Sequence, residues 1–102
     1  MKDPMKMLKQ VQQMQDRMNT IQAELETETV EASAGGGAVR VVATGTQKLV
    51  SVTISPDAAS DVELVQDMVI AAVNEAMEKS KLLAAAKMQA VASGLGLPPG
   101  LL

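Results

Sequence analysis

A chain of 102 residues has room for one domain, and folding at this size hides only about 60 to 70% of the extended surface, so a lone copy is marginal. The apolar share is 47% but Phe, Tyr and Trp are absent, so Val, Leu, Ile, Ala and eight Met must build the core, and their small buried areas favour burial against a second copy. The absence of Cys and His removes disulfides, thiolate nucleophiles, imidazole bases and the usual zinc ligands, and a net charge of −3 excludes a uniformly basic nucleic-acid binder.

The opening, Met1 to Gln10, carries Lys2, Lys6 and Lys9 and lacks the apolar core of a signal peptide. No stretch approaches the roughly 20 apolar residues of a membrane span, so no membrane role and a reduced cytoplasm are expected. From Pro4 onward, Met7, Val11, Met14, Met18, Ile21 and Leu25 recur at alternating steps of four and three, which is a heptad seam. Asp3 is the natural N-cap and Pro4 suits the first turn, so a helix is predicted from about Pro4 to Leu25. Met1, Met5 and Leu8 form a second, partial stripe beside the seam. The seam would pack either on the protein's own sheet or on the same helix of a second copy, and an intertwined dimer would do both.

Past Leu25 the period changes to two, and Thr27, Thr29 and Val30 lead a first strand through Ala34 to the turn Gly35, Gly36 and Gly37. A second strand from Ala38 to Thr44 puts Val39, Val41 and Ala43 on one face. After Gly45, Thr46 and Gln47, a third strand alternates Val50, Val52 and Ile54 against Leu49, Ser51 and Thr53 until Pro56 ends it. Short turns make the three an antiparallel meander. The triple glycine joins strand to strand and lacks the following helix and Lys of a phosphate loop, so it reads as a hairpin tip.

Ser60 with Glu63 reads as a capping box opening a second helix to about Ala92, where Ser93 and Gly94 stop it. About 30 residues at 1.5 Å each outrun a sheet of short strands, so its C-terminal half needs another partner. Residues 94–102, with Gly94, Gly96, Pro98, Pro99 and Gly100 among Leu95, Leu97, Leu101 and Leu102, read as a flexible or loosely docked tail after a single domain of residues 1–93.

The acidic residues occupy the middle of the chain, while both ends are basic: Lys2, Lys6, Lys9 and Arg17 at one, Lys79, Lys81 and Lys87 at the other. The carboxylates alternate with Thr, Gln and Lys as solvated surfaces do, so no catalytic residue, no cofactor and no small-molecule substrate is expected, and the absence of a calcium-loop pattern argues against a metal. Without aromatics there is no stacking platform for single strands, which leaves phosphate contact on duplex DNA as the compatible nucleic-acid readout.

In this order of features the chain resembles the YbaB/EbfC nucleoid-associated proteins. The resemblance is carried by "MKMLKQVQQMQDRMNTIQAEL", the glycine run in "ASAGGGAVRVVATG", the strand "VSVTISP", the segment "AAVNEAMEKS" and the ending "GLGLPPG". It implies an α+β fold, two layers in the order α-β-β-β-α with a three-stranded antiparallel sheet, forming an intertwined, tweezer-shaped homodimer. It also implies a bacterial, nucleoid-associated DNA-binding protein that is not an enzyme. Family DNA contacts on the helices would fall here on Lys6, Lys9, Arg17, Lys79, Lys81 and Lys87, to which the basic opening adds Lys2. Met7, Val11, Met14, Met18, Ile21 and Leu25 would form the dimer interface. The other reading is a scaffold dimer whose long helices and Leu-rich tail dock a protein partner.

Overall fold

The computed structural model describes residues 3–94, which covers neither Lys2 nor the tail beyond Gly94. The elements run α1 (Pro4–Thr27), β1 (Thr29–Ala34), β2 (Val39–Thr44), β3 (Leu49–Ile54), α2 (Pro56–Ala59) and α3 (Val62–Gly94). The α+β, α-β-β-β-α order expected from the sequence is present, with a one-turn helix added before the last element.

α1 starts where its chemistry dictates. The Asp3 carboxylate accepts the Met5 amide at 3.1 Å, and Pro4 fills a first-turn position that has no amide bond to lose. The three strands form one antiparallel sheet in the order β1-β2-β3. β2 is the central strand, and its alternation becomes burial: Val39, Val41 and Ala43 are fully enclosed, while Arg40 on the opposite face is exposed and pairs with Glu31 of β1 at 3.2 Å. The hairpin tip needs its glycines, because Gly35, Gly36 and Gly37 all have φ between 62 and 94°, where a Cβ is strained.

The helix after β3 starts differently from the expected capping box. Ser55 caps α2, accepting the Ala58 amide at 3.3 Å, and the Ser60 hydroxyl donates to the Asp57 carbonyl as α2 closes. Ser60 already has helical backbone angles and cannot serve as an N-cap. Asp61 does so instead, taking the Leu64 amide on its Oδ1 at 3.1 Å. The other end of α3 reaches Gly94, two residues past the expected stop at Ala92.

α3 lies across β1 and β2. Met68, Ala72 and Ala76 pack on Ala32, Val39, Val41 and Ala43, and the small side chains let helix and sheet approach closely. The core therefore belongs to two strands, and β3 is left out of it. Val52 pairs with Val41, and Ile54 with Val39, so both point to the same side of the sheet as the buried β2 valines. Yet Val52 and Ile54 are 41% and 38% exposed, since among the described residues no helix covers them.

The second half of α3 leaves the sheet and runs antiparallel to α1: Gln22 and Leu25 line one cleft with Ala84 and Met88, Ile21 lines another with Val91, and Arg17 lies close to Gly94. Three features fix the junction where sheet, α1 and α3 meet. The buried Ser80 hydroxyl donates to the Thr44 carbonyl at 2.8 Å and accepts the Gln47 amide at 3.1 Å. Gly45 approaches Leu25 so closely that a Cβ would stand 2.6 Å from its Cδ2. Lys87 of α3 reaches Glu24 of α1 at 3.0 Å and also contacts Glu28. The result is an elongated molecule, 69 × 21 × 15 Å.

Candidate nucleic-acid interface

The heptad seam of α1 divides into two halves with different fates. Leu25 is buried, and Met14, Met18 and Ile21 are half-buried, against α3 and the turn between β2 and β3. The partner that the seam finds within the chain is mainly α3, where the sequence suggested the sheet or a second copy. Toward the N-terminus α1 outruns the last described turn of α3, and Met7 and Val11 are 61% and 58% exposed. They line an open cleft of about 520 Å³ together with Gln10, Gln13, Met14, Arg17 and Gly94.

The basic residues of this same stretch are organised by the helix. At about 100° per residue, Lys6, Lys9, Gln10, Gln13 and Arg17 fall within an arc of roughly 100°, adjoining the seam. All of them are exposed. Lysine and arginine supply charge, and glutamine supplies amide donors of the kind that reach phosphate oxygens. From Lys6 to Arg17 the stripe is about 16 Å long, enough to follow a nucleic-acid backbone across several phosphates.

One turn and more beyond Arg17, the same arc carries Glu24 and then Glu28, which would repel a polyanion. Lys87 is held between them, its side chain only 23% exposed, and the two carboxylates push its pKa above the usual lysine value. The ion pair neutralises charge at the acidic end of the stripe and ties α1 to α3.

The basic residues of α3 are not gathered in this way. Lys79 turns toward the sheet, donating to the Glu31 carbonyl at 2.8 Å and pairing with Glu75 at 3.7 Å. Lys87 faces α1. Lys81 lies beside Gln22, Thr46 and Gln47. The α3 lysines have no acidic neighbour following them in sequence, but Glu75, one turn earlier on the same helix, pairs with Lys79, and the fold brings Glu24 and Glu28 to Lys87. Lys48, in the turn before β3, is exposed next to the Gln47 that lines the Lys81 cleft; an isolated charge in a turn carries no periodic signal, and sequence reasoning passed it over.

Among the described residues there is no cluster of three or more acidic side chains able to hold a metal, and no helix is long and apolar enough to cross a membrane.

Comparison with known proteins agrees with this architecture. The fold is shared with an uncharacterized protein from Helicobacter pylori, with a TM-score of 0.71 over 79% of this chain and 87% of that one, although only 20% of residues are identical. Among relatives in sequence, a nucleoid-associated protein of Acetivibrio thermocellus is 48% identical over 97 residues, covering 93% of this chain and 86% of the relative. One from Pelotomaculum thermopropionicum is 48% identical over 95 residues, covering 91% and 90%. The family model of the YbaB/EbfC DNA-binding proteins matches residues 1–95. With that match across the helix, meander and long helix described above, the chain belongs to the YbaB/EbfC DNA-binding family, a group of non-enzymatic proteins.

Proposed function

We propose that this protein is a nucleoid-associated protein that binds duplex DNA as a homodimer, mainly through the phosphate backbone and with little sequence preference. The observation that carries the reading is the exposed arc of Lys6, Lys9, Gln10, Gln13 and Arg17 on α1. A stripe of charge and amide donors with no aromatic residue in the chain is suited to phosphates and has nothing with which to stack bases. The names of the relatives from Acetivibrio thermocellus and Pelotomaculum thermopropionicum support a nucleoid location.

A salt titration on duplexes of different sequence tests the mechanism. Log K falls linearly with log salt, by about 0.9 per phosphate neutralised, and replacing Lys6, Lys9 and Arg17 together with Gln weakens every duplex alike while making the slope shallower. Binding that persists in molar salt, or that is confined to one sequence, would overturn it.

The homodimer is supported by the apolar strip that a single copy leaves open. Val52 and Ile54, on the core side of β3, are exposed, and β3 is an edge strand with a row of unpaired backbone groups. An aromatic-free core with few enclosed side chains gains most from covering such a surface. Sedimentation at micromolar concentration is expected to give two chains, and Val52→Asp with Ile54→Asp one folded chain, because both sites become buried charges only in the dimer. A wild-type monomer would refute the assembly and leave the DNA reading to be judged by the titration.

A further inference from the structure

We propose that Glu24, Glu28 and Lys87 form an end stop to the basic stripe: the two carboxylates hold Lys87 away from phosphate and confine DNA contact to the stretch from Lys6 to Arg17. The stop presupposes the DNA contact on α1 proposed above and sets its limit.

Along α1 the charge changes sign without a change of face. Glu24 follows Lys6 at a spacing of about five full turns, so it projects at the same angle, and it lies about 10 Å beyond Arg17 along the axis. Between them on the arc stands Thr20, which is uncharged and donates its hydroxyl to the Asp16 carbonyl at 3.0 Å. Glu28 caps the end of the helix. A nucleic-acid strand that follows the stripe past Arg17 therefore meets two carboxylates.

Lys87 is the one cation at this end of the arc, and it is already engaged. Its amine reaches across from α3 to Glu24 at 3.0 Å and also contacts Glu28, and its side chain is more enclosed than either carboxylate. Two acids against one lysine leave the group with a net negative charge. A phosphate can take Lys87 only by displacing two carboxylates in place and then lying beside them. Lys6, Lys9 and Arg17 form no salt bridge among the described residues, so a phosphate there displaces only counterions. The same lysine that ties α1 to α3 is thereby kept out of the contact. Lys87 acts as a positioning residue, where helix placement alone would have made it a phosphate ligand.

Salt titrations on one duplex read this directly, because the slope of log K against log salt counts phosphate contacts. Glu24→Gln with Glu28→Gln frees Lys87 and is expected to tighten binding about tenfold at roughly 0.1 M salt, steepening the slope by about 0.9 for each chain on the duplex. Glutamine keeps the length and a hydrogen-bonding oxygen at both positions, so the helix pair is retained. Adding Lys87→Gln to that pair is expected to restore the wild-type slope. Lys87→Gln alone is expected to weaken binding at an unchanged slope, since it bares two carboxylates and removes no phosphate contact. Glu63→Gln with Asp67→Asn makes the same change of charge on the half of α3 that packs on the sheet, and is expected to leave the slope as it is. An unchanged slope in the Glu24, Glu28 variant overturns the stop, as does an equal steepening in the Glu63, Asp67 variant. A slope made shallower by Lys87→Gln alone also overturns it and makes Lys87 a phosphate contact. Each of these results leaves the DNA reading standing, whereas a wild-type chain that binds no duplex removes both.

Discussion

The two ends of α1 present the same side-chain chemistry and meet opposite environments. On the one seam of a continuous helix, Leu25 is 3% exposed and Val11 is 58% exposed. Heptad spacing selects a face of the helix; it does not supply the element that covers it. At the C-terminal end that element is α3 with the turn between β2 and β3, and the helix there is clamped by Lys87 and crowded by Gly45. At the N-terminal end α1 extends past the described turns of α3, and the exposed basic arc runs from Lys6 to Arg17. On the proposed DNA-binding role, a stripe on a projecting helix would reach a large ligand without obstruction from the sheet, while the clamped end fixes its direction.

Substitutions at the two ends sharpen this contrast. Leu25→Ala removes a buried side chain and is expected to cost about 2 to 5 kcal/mol in urea unfolding, whereas Leu8→Ala stays within about 0.5 kcal/mol. Similar losses at both sites would show that the N-terminal end of α1 is covered as well as the C-terminal end. A smaller effect is expected at the junction. Ser80→Ala removes the buried hydroxyl that joins Thr44 and Gln47, and an orphaned buried group typically costs about 1 to 3 kcal/mol. The Gln47 amide also reaches the Thr44 carbonyl at 3.1 Å, which keeps one partner in place and puts the expected loss near 1 kcal/mol.

The smallest effect is that of the Lys87 clamp, and it has a direction in pH. The carboxylates of Glu28 and Glu24 raise the Lys87 pKa above 10.5, so its contribution is complete below that value and is lost as pH rises through the higher folded-state value. Lys87→Met is expected to abolish this alkaline loss and to weaken the dependence of stability on salt, read by thermal unfolding at neutral and alkaline pH. An unchanged alkaline profile in Lys87→Met would assign the loss to another group.

Elements with strong periodicity and local caps were legible before the fold was known. The Asp3 cap, the α1 stripe, the alternation of β2 and the turn glycines each depend on interactions within a few residues, and each appears as expected. The start of α3 was misplaced because Ser60 and Asp61 are both good capping residues, and the short helix Pro56–Ala59 takes the serine's hydroxyl for its own closing turn. The grouping of Lys6, Lys9 and Arg17 was also readable, since helical spacing alone puts them on one arc.

What each charge and each apolar residue faces is another matter. Glu75 and Lys79 are four residues apart on α3 and pair by helical spacing alone, but the contacts of Lys79 with the Glu31 carbonyl and of Lys87 with Glu24 and Glu28 depend on how α3 lies against the sheet and α1. The third strand alternates like the second, yet α3 covers β1 and β2 and leaves Val52 and Ile54 open. The sequence alone determined which elements form and which face of each is apolar, because periodicity and capping act over a turn or two of chain. Only the tertiary structure decided which of those faces are covered and which lysines are paired, because packing of elements distant in sequence depends on helix lengths and crossing positions that no local pattern encodes.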